Sequence, residues 1–254
     1  MRQEKSERQA QILAALDQAP SLRVAELAAR LTVSTETIRR DLDALTAQGL
    51  LNRTYGGAVR PLTSEPPVEE RHALYVHERE RIAALTVELV KDARILLIGS
   101  GSTTVHVAHH VAARMRDITV IAHSFGVVSA LAVNPTIKVL VCPGFYEAGE
   151  GAMLGAHTVS FLQQVYADVA ILGASGIGGG GPSDALLETG AVYAAMVARA
   201  AQTVLVADHS KFNLVFPARY AVWGQISQLV TDSPPNQEFY GLLAMHRVPV
   251  NIAP

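Results

Sequence analysis

Arg39 and Arg40 stand side by side in the run Ser34-Thr35-Glu36-Thr37-Ile38-Arg39-Arg40-Asp41-Leu42-Asp43-Ala44-Leu45. A guanidinium is a planar fork of N–H donors that fits a phosphate or the O6/N7 edge of guanine, so this pair is suited to gripping DNA. Ser34 is a good N-cap, and Thr35 and Thr37 fall in the first turn, where short hydroxyl side chains reach base edges or phosphates. A second set of polar and small residues lies further along. It comprises Gly99-Ser100-Gly101-Ser102-Thr103-Thr104, His123-Ser124, Pro143-Gly144, Gly173-Ala174-Ser175-Gly176 and Asp208-His209-Ser210-Lys211. Small residues let backbone N–H groups approach an anion, hydroxyls donate to it, and Lys211 adds a full positive charge. That chemistry suits a phosphorylated polyol, with Asp208 accepting from its hydroxyls.

The elements that must position these groups differ between the two ends of the chain. Ile38, Leu42 and Leu45 recur at helical spacing, so a helix over 34–46 packs that face inward and leaves the threonines and arginines available. Helices over about 4–17 and 24–31 precede it, and Thr32-Val33-Ser34 is a turn of helix-turn-helix length. Gly49 stops the third helix. Leu50–Arg53 and Ala58-Val59 then flank Tyr55-Gly56-Gly57 as a hairpin, which makes the motif winged and sets Arg53 and Tyr55 beside the DNA backbone. From residue 77 short apolar runs alternate with helical stretches, at 94–98, 118–122, 137–142, 169–172, 203–207, 226–231 and 248–252. Continuous apolar runs of this kind are what strands covered on both faces of a parallel sheet require. The fold class is therefore α/β: a winged helix-turn-helix over 1–60, a proline-containing linker over 61–76, and a doubly wound, mostly parallel domain over 77–254. In such a sheet ligands sit beyond the carboxyl ends of the strands, and the second set of groups falls there. Glycine- and serine-rich turns also arise simply because chains must turn after strands. Five of them on one edge argue for a cleft.

Composition narrows the choice of partners. The 254 residues carry a net charge of −2, but residues 1–60 hold nine Lys/Arg against seven Asp/Glu and the remainder is net −4. A mildly basic reader on a neutral-to-acidic body fits that sign change. No apolar run approaches the roughly 20 residues of a membrane span, and the single cysteine, Cys142, fits a reducing cytoplasm. Cys142 itself reads as a small buried hydrophobe. His106, His109 and His110 share one helix but lack a companion Glu or Cys at ligand spacing, so no metal site is expected. Gly99-x-Gly101 is a poor dinucleotide fingerprint, because Thr104 replaces the third glycine, and no cofactor is expected.

Leu27-Ala28 through Val33-Ser34, Thr37–Leu42, Leu45, Gly49, Arg53 and Gly56-Gly57 resemble the DNA-binding signature of DeoR-type bacterial transcription regulators. Ile82-Ala83, Gly101–Thr104, Gly173–Gly176, Glu188, Met196 and Ala207-Asp208-x-Ser210-Lys211-Phe212 resemble the sensor domain of the same family. The resemblance implies an effector domain similar to ribose-5-phosphate isomerase A, responding to a phosphorylated sugar on a homodimer or homotetramer that represses carbohydrate or nucleoside operons. It also adds Glu188 to the effector-binding candidates. Three departures bear on the ligand: Ser175 stands for an acidic residue, Tyr193 for a frequent lysine, and Glu147 ends a segment that commonly carries an arginine. Losing two cations weakens the case for a doubly charged ester unless other groups replace them. A sugar-phosphate isomerase carrying a DNA-binding domain is the rival reading. Proton abstraction beside a carbonyl needs a placed carboxylate and a cation, and Ser175 and Tyr193 stand where those would be expected.

Overall fold

The structure, a computed structural model, describes residues 2–18, 21–47, 51–54, 57–59 and 65–254. It divides into two compact units, residues 1–64 with 213–215, and residues 65–212 with 216–254. In the first, α1 (Arg2–Gln18), β1 (Ser21–Arg23), α2 (Val24–Arg30), α3 (Thr35–Ala47), β2 (Asn52–Thr54) and β3 (Gly57–Val59) follow in order. The strands form an antiparallel sheet in the order β1-β3-β2. The expected packing face is buried: Ile38, Leu42 and Leu45 meet Ile12, Leu16 and Leu27 in one apolar cluster. Strand β1 is an addition to the expected elements. It occupies the stretch after Pro20 whose pattern suggests a simple break, and it pairs with the wing through Leu22 opposite Ala58.

The second unit begins inside the expected linker. Residues 65–67 lead into the short helix α4 (Val68–His72), so this part of the 61–76 segment belongs to the α/β body. Pro67 precedes the helix, and its fixed φ suits a helix start. Then come α5 (Val76–Val90), β4 (Ile95–Ile98), α6 (Ser102–Arg114), β5 (Thr119–Ala122), α7 (Phe125–Leu131), β6 (Lys138–Val141), β7 (Phe145–Glu147), β8 (Ala152–Leu154), α8 (Ala156–Leu162) and β9 (Ala167–Leu172). The chain continues through β10 (Gly176–Gly178), β11 (Gly181–Asp184), α9 (Leu187–Arg199), β12 (Ala200–Val206), β13 (Ala218–Arg219), β14 (Gln228–Thr231), α10 (Gln237–Met245) and β15 (Val250–Ile252).

All seven expected strand runs join one sheet, in the order β15-β14-β12-β9-β4-β5-β6, and every pairing in it is parallel. Its two faces carry separate cores, one around Leu96, Ile98 and Val120 and the other around Leu97, Ile121 and Ala170. The edge strand β6 departs from the expected double burial, for Leu140 and Val141 are exposed. The hairpin β7-β8 and the small sheet β10-β11-β13 have no counterpart among the expected strands.

The chain runs outward from β4 through β5 to β6, then returns to β9 on the other side of β4 and proceeds to β12, β14 and β15. The direction of winding thus reverses between β4 and β9. A crevice opens beyond the strand ends at such a point, and this is where open α/β sheets bind ligands.

Candidate functional sites

On the first unit, Ser34 caps α3: its Oγ accepts from the Thr37 N–H at 3.1 Å and lies 2.9 Å from the Thr37 hydroxyl. Thr35, Arg39 and Arg40 are exposed and Thr37 is half-buried. Glu36 lies 3.2 Å from the Arg40 Nε and 4.0 Å from the Arg39 guanidinium, pairs exposed enough to be weak. Asp41, next in the chain, does something different. Its carboxylate is buried and accepts from Arg8 Nε at 2.5 Å, which ties α3 to α1. Arg53 lies in β2, but its side chain and the whole of Tyr55 and Gly49 fall outside the described residues. Replacing Ser34 with Ala should lower the stability of this unit by about 1 kcal/mol, as read by thermal unfolding.

On the second unit, a cavity lies at the reversal between β4 and β9. Its lining includes Ser100, Gly101, Ser102, Thr103, Thr104, Ser175 and Lys211, seven of the residues singled out from sequence. The loop after β4 is held from below. Buried His123 accepts from the Ser100 N–H at Nε2 (3.1 Å) and donates from Nδ1 to the Met153 carbonyl (3.0 Å), which defines its neutral tautomer. Burial brings its pKa down to about 4, so it stays neutral. Tyr193 donates to the Ser100 carbonyl at 2.6 Å, and its ring lies where a Cβ on Gly99 would collide at 2.9 Å. This is the use of tyrosine at a position where the family resemblance expects a lysine. Gly101, at φ +111°, turns the chain into α6. The first N–H groups of that helix face no intrahelical acceptor, as at any helix start.

Charged groups with no clear signal in the sequence complete the cavity. Arg71 of α4 and Arg79 of α5 line it, together with Glu150 and Asp184. Arg71 lies 2.6 Å from Glu150, and Arg79 lies 3.3 Å from Asp208 with both side chains buried. In sequence Arg79 belongs to the run Glu78–Arg81, which reads as a solvated helix start, and Arg71 falls in the expected linker; only the fold turns them inward. Burial is the main cause that pushes the Asp184 carboxyl up to about 7, reinforced by Glu150 and Glu65 nearby.

Other expected effector contacts are not brought to this cavity. Asp208 is fully buried and fully engaged: one oxygen accepts from Arg79, the other from the N–H and hydroxyl of Ser210. It therefore positions Arg79 rather than meeting sugar hydroxyls, and Ser210 serves that carboxylate. Ser124 is spent capping α7, its Oγ accepting from the Val127 N–H at 3.5 Å. Gly144 allows close backbone packing, because a Cβ there would lie 2.6 Å from the Leu154 carbonyl oxygen. Gly176 opens β10, and Glu188 is exposed on the first turn of α9, lining a separate groove with Gln163 and Leu187. Glu147 is exposed and does not line the cavity either. His106 and His110 share the carboxylate of Glu80 at 2.5 and 2.8 Å. Cys142 is buried, and burial raises its thiol to about 12.

A winged helix-turn-helix followed by a parallel α/β unit with a polar cavity at its winding reversal defines a class, the two-part DNA-binding regulator. Residues 8–63 match the DeoR-like helix-turn-helix domain and residues 75–233 the DeoR C terminal sensor domain, and the chain belongs to the DeoR family. It is 30% identical over 232 residues to the glycerol-3-phosphate regulon repressor of Escherichia coli, covering 89% of this chain and 90% of that one. It is also 30% identical to the repressor GlcR of Bacillus subtilis, over 93% of this chain and 92% of the relative. Among solved structures, ribose 5-phosphate isomerase A from Neisseria gonorrhoeae aligns over 53% of this chain and 52% of its own, at 18% identity and a TM-score of 0.37. Relatives named as repressors match almost end to end, which makes this chain a regulator and not an enzyme. Among the described residues no helix is long and apolar enough to cross a membrane.

Proposed function

We propose that this protein represses a carbohydrate-metabolism operon in the cytoplasm and lets go of its operator when a phosphorylated sugar or polyol enters the cavity between β4 and β9. The observation that carries the ligand class is the convergence of Lys211, Arg71 and Ser175, all lining the cavity, on one carboxylate, that of Glu65. Groups that hold a carboxylate through charge-assisted hydrogen bonds also hold a phosphate. Arg71 answers the loss of cations at 147 and 193, because it supplies a buried guanidinium from a different element. The relatives named for glycerol 3-phosphate support the same class. On the DNA side, α3 enters the major groove with Thr35, Thr37, Arg39 and Arg40 as contacts, while Ser34, Arg53 and Tyr55 meet the backbone. Paired half-sites one or more helical turns apart require at least a homodimer. Effector and operator then oppose each other by the same factor, as linkage demands.

A thermal-shift screen of sugar phosphates and their unphosphorylated parents tests the ligand class. A binder at 100 times its dissociation constant should raise stability by about 2.7 kcal/mol. Hits confined to neutral sugars would remove the phosphate assignment. Lys211→Ala should keep operator binding and lose most of the response to a phosphorylated hit, measured by release of labelled operator. An unchanged response would move the pocket elsewhere.

A further inference from the structure

Three of the residues that line this cavity, Lys211, Arg71 and Ser175, share an anion that belongs to the chain itself. Glu65 Oε1 lies 2.5 Å from the Lys211 ammonium, Glu65 Oε2 lies 3.2 Å from the Arg71 guanidinium, and the Ser175 hydroxyl donates to the same oxygen. The Glu65 side chain is only 7% exposed. The cavity that Lys211, Arg71 and Ser175 line has a volume of about 20 Å³, room for one water and not for a sugar phosphate. We propose that Glu65 is a tethered stand-in for the effector's phosphate, which must expel it in order to bind. This inference rests on the effector-site reading above.

Charge balance supports displacement over simple addition. Lys211, Arg71 and Arg79 face Glu65, Glu150 and Asp208, with Asp184 the remaining carboxyl. With Asp184 protonated the six charges cancel. A phosphate added beside Glu65 would meet a carboxylate with no spare cation, whereas expelling Glu65 frees Lys211 and part of Arg71 for it. Arg71 also keeps its bond to Glu150, and Arg79 its bond to Asp208, so the basic wall survives the exchange. The tether makes the exchange consequential. Glu65 is the first residue of the α/β unit, and five residues separate it from β3 of the DNA-binding unit. Pro66 and Pro67 follow it directly, and α4 is fastened beyond them by the Val68 N–H to the Gly149 carbonyl at 2.9 Å. Stiff, anchored chain on that side directs the movement of Glu65 toward the segment that leads to the wing.

Two alternatives predict no gain. If Glu65 accepts hydroxyls of the bound effector, or only fastens α4, neutralising it gains nothing for an anion. The test uses inorganic phosphate as probe, titrated by calorimetry into the full chain. Glu65→Gln should bind phosphate at least tenfold more tightly than the wild type, and adding Lys211→Ala should abolish that gain. In the wild type, phosphate should speed hydrogen exchange in the peptide spanning residues 60–70, a readout that needs no variant. Phosphate binding that depends on Lys211 but is no tighter in Glu65→Gln, or slower exchange on binding, overturns the stand-in alone. Binding that survives Lys211→Ala, or no binding in any form, overturns the effector-site reading with it.

Discussion

Arg39→Ala combined with Arg40→Ala should reduce specific operator binding by at least about thirtyfold while leaving the fold unchanged. The size follows from the chemistry of the contact. A good bidentate arginine–guanine pair discriminates by about 1–3 kcal/mol, so losing two such contacts costs about 2–6 kcal/mol. Little of this is offset or disguised by folding, because both side chains pair with Glu36, itself exposed on the same helix. Pairs of that kind contribute about 0.2–0.5 kcal/mol each. The single variants then separate the roles of the two residues. An arginine on a phosphate weakens binding to all sequences alike and lowers the salt slope by about 0.9 when removed. An arginine on a base edge relaxes selectivity at one position and leaves the slope nearly unchanged. Retained specific binding by the double variant, measured by fluorescence anisotropy across a salt series, would remove α3 from the groove.

Helix α3 is legible in the sequence because its signals are local. An N-cap, a first turn of threonines and an apolar stripe at 38, 42 and 45 lie within a dozen residues, and the structure buries that stripe and caps that turn. The seven parallel strands are legible for a related reason, since burial on both faces writes an uninterrupted apolar run. Where strands are short and glycine-rich, as at β10 and β11, that run is missing and the element goes unseen. At β6 the run is present but the burial it suggests is not, because an edge strand leaves Leu140 and Val141 open. The cavity is half legible. Loops after β4, β9 and β12 must meet at the winding reversal, so Ser100–Thr104, Ser175 and Lys211 follow from connectivity alone. Arg71, Arg79, Glu65 and Asp184 do not, because each reaches the cavity from an element whose direction only packing sets. Asp208 misleads for the opposite reason. Its place at a strand end suggests a ligand contact, but a buried arginine already claims it.

Asp184→Asn should remove most of a pH dependence of stability that the wild type shows between about pH 4 and pH 7. The Asp184 carboxyl keeps its proton up to about 7 in the folded chain, chiefly because burial penalises the charge. In the unfolded chain it ionises near its ordinary value of about 3.9. A group whose folded pKa is raised stabilises fully below the unfolded value, and that stability is lost as pH rises toward the folded value. The wild type should therefore lose stability across this window and level off above it. The gap between the folded and unfolded values corresponds to about 4 kcal/mol as an upper bound. Asparagine has no proton to lose, and its carbonyl oxygen can still accept the Leu186 N–H that Asp184 accepts at 3.0 Å. The variant should match the wild type near pH 4 and exceed it by about 2–4 kcal/mol at pH 8, in denaturant unfolding at each pH. Equal slopes in the two proteins would mean that Asp184 is ionised when folded. Neighbouring charge refines the expectation, because Glu65 and Glu150 both help to raise Asp184. Glu65→Gln should thus shorten the window from its upper end, and a phosphate held by Lys211 should restore it, since one anion then replaces another beside the same carboxyl.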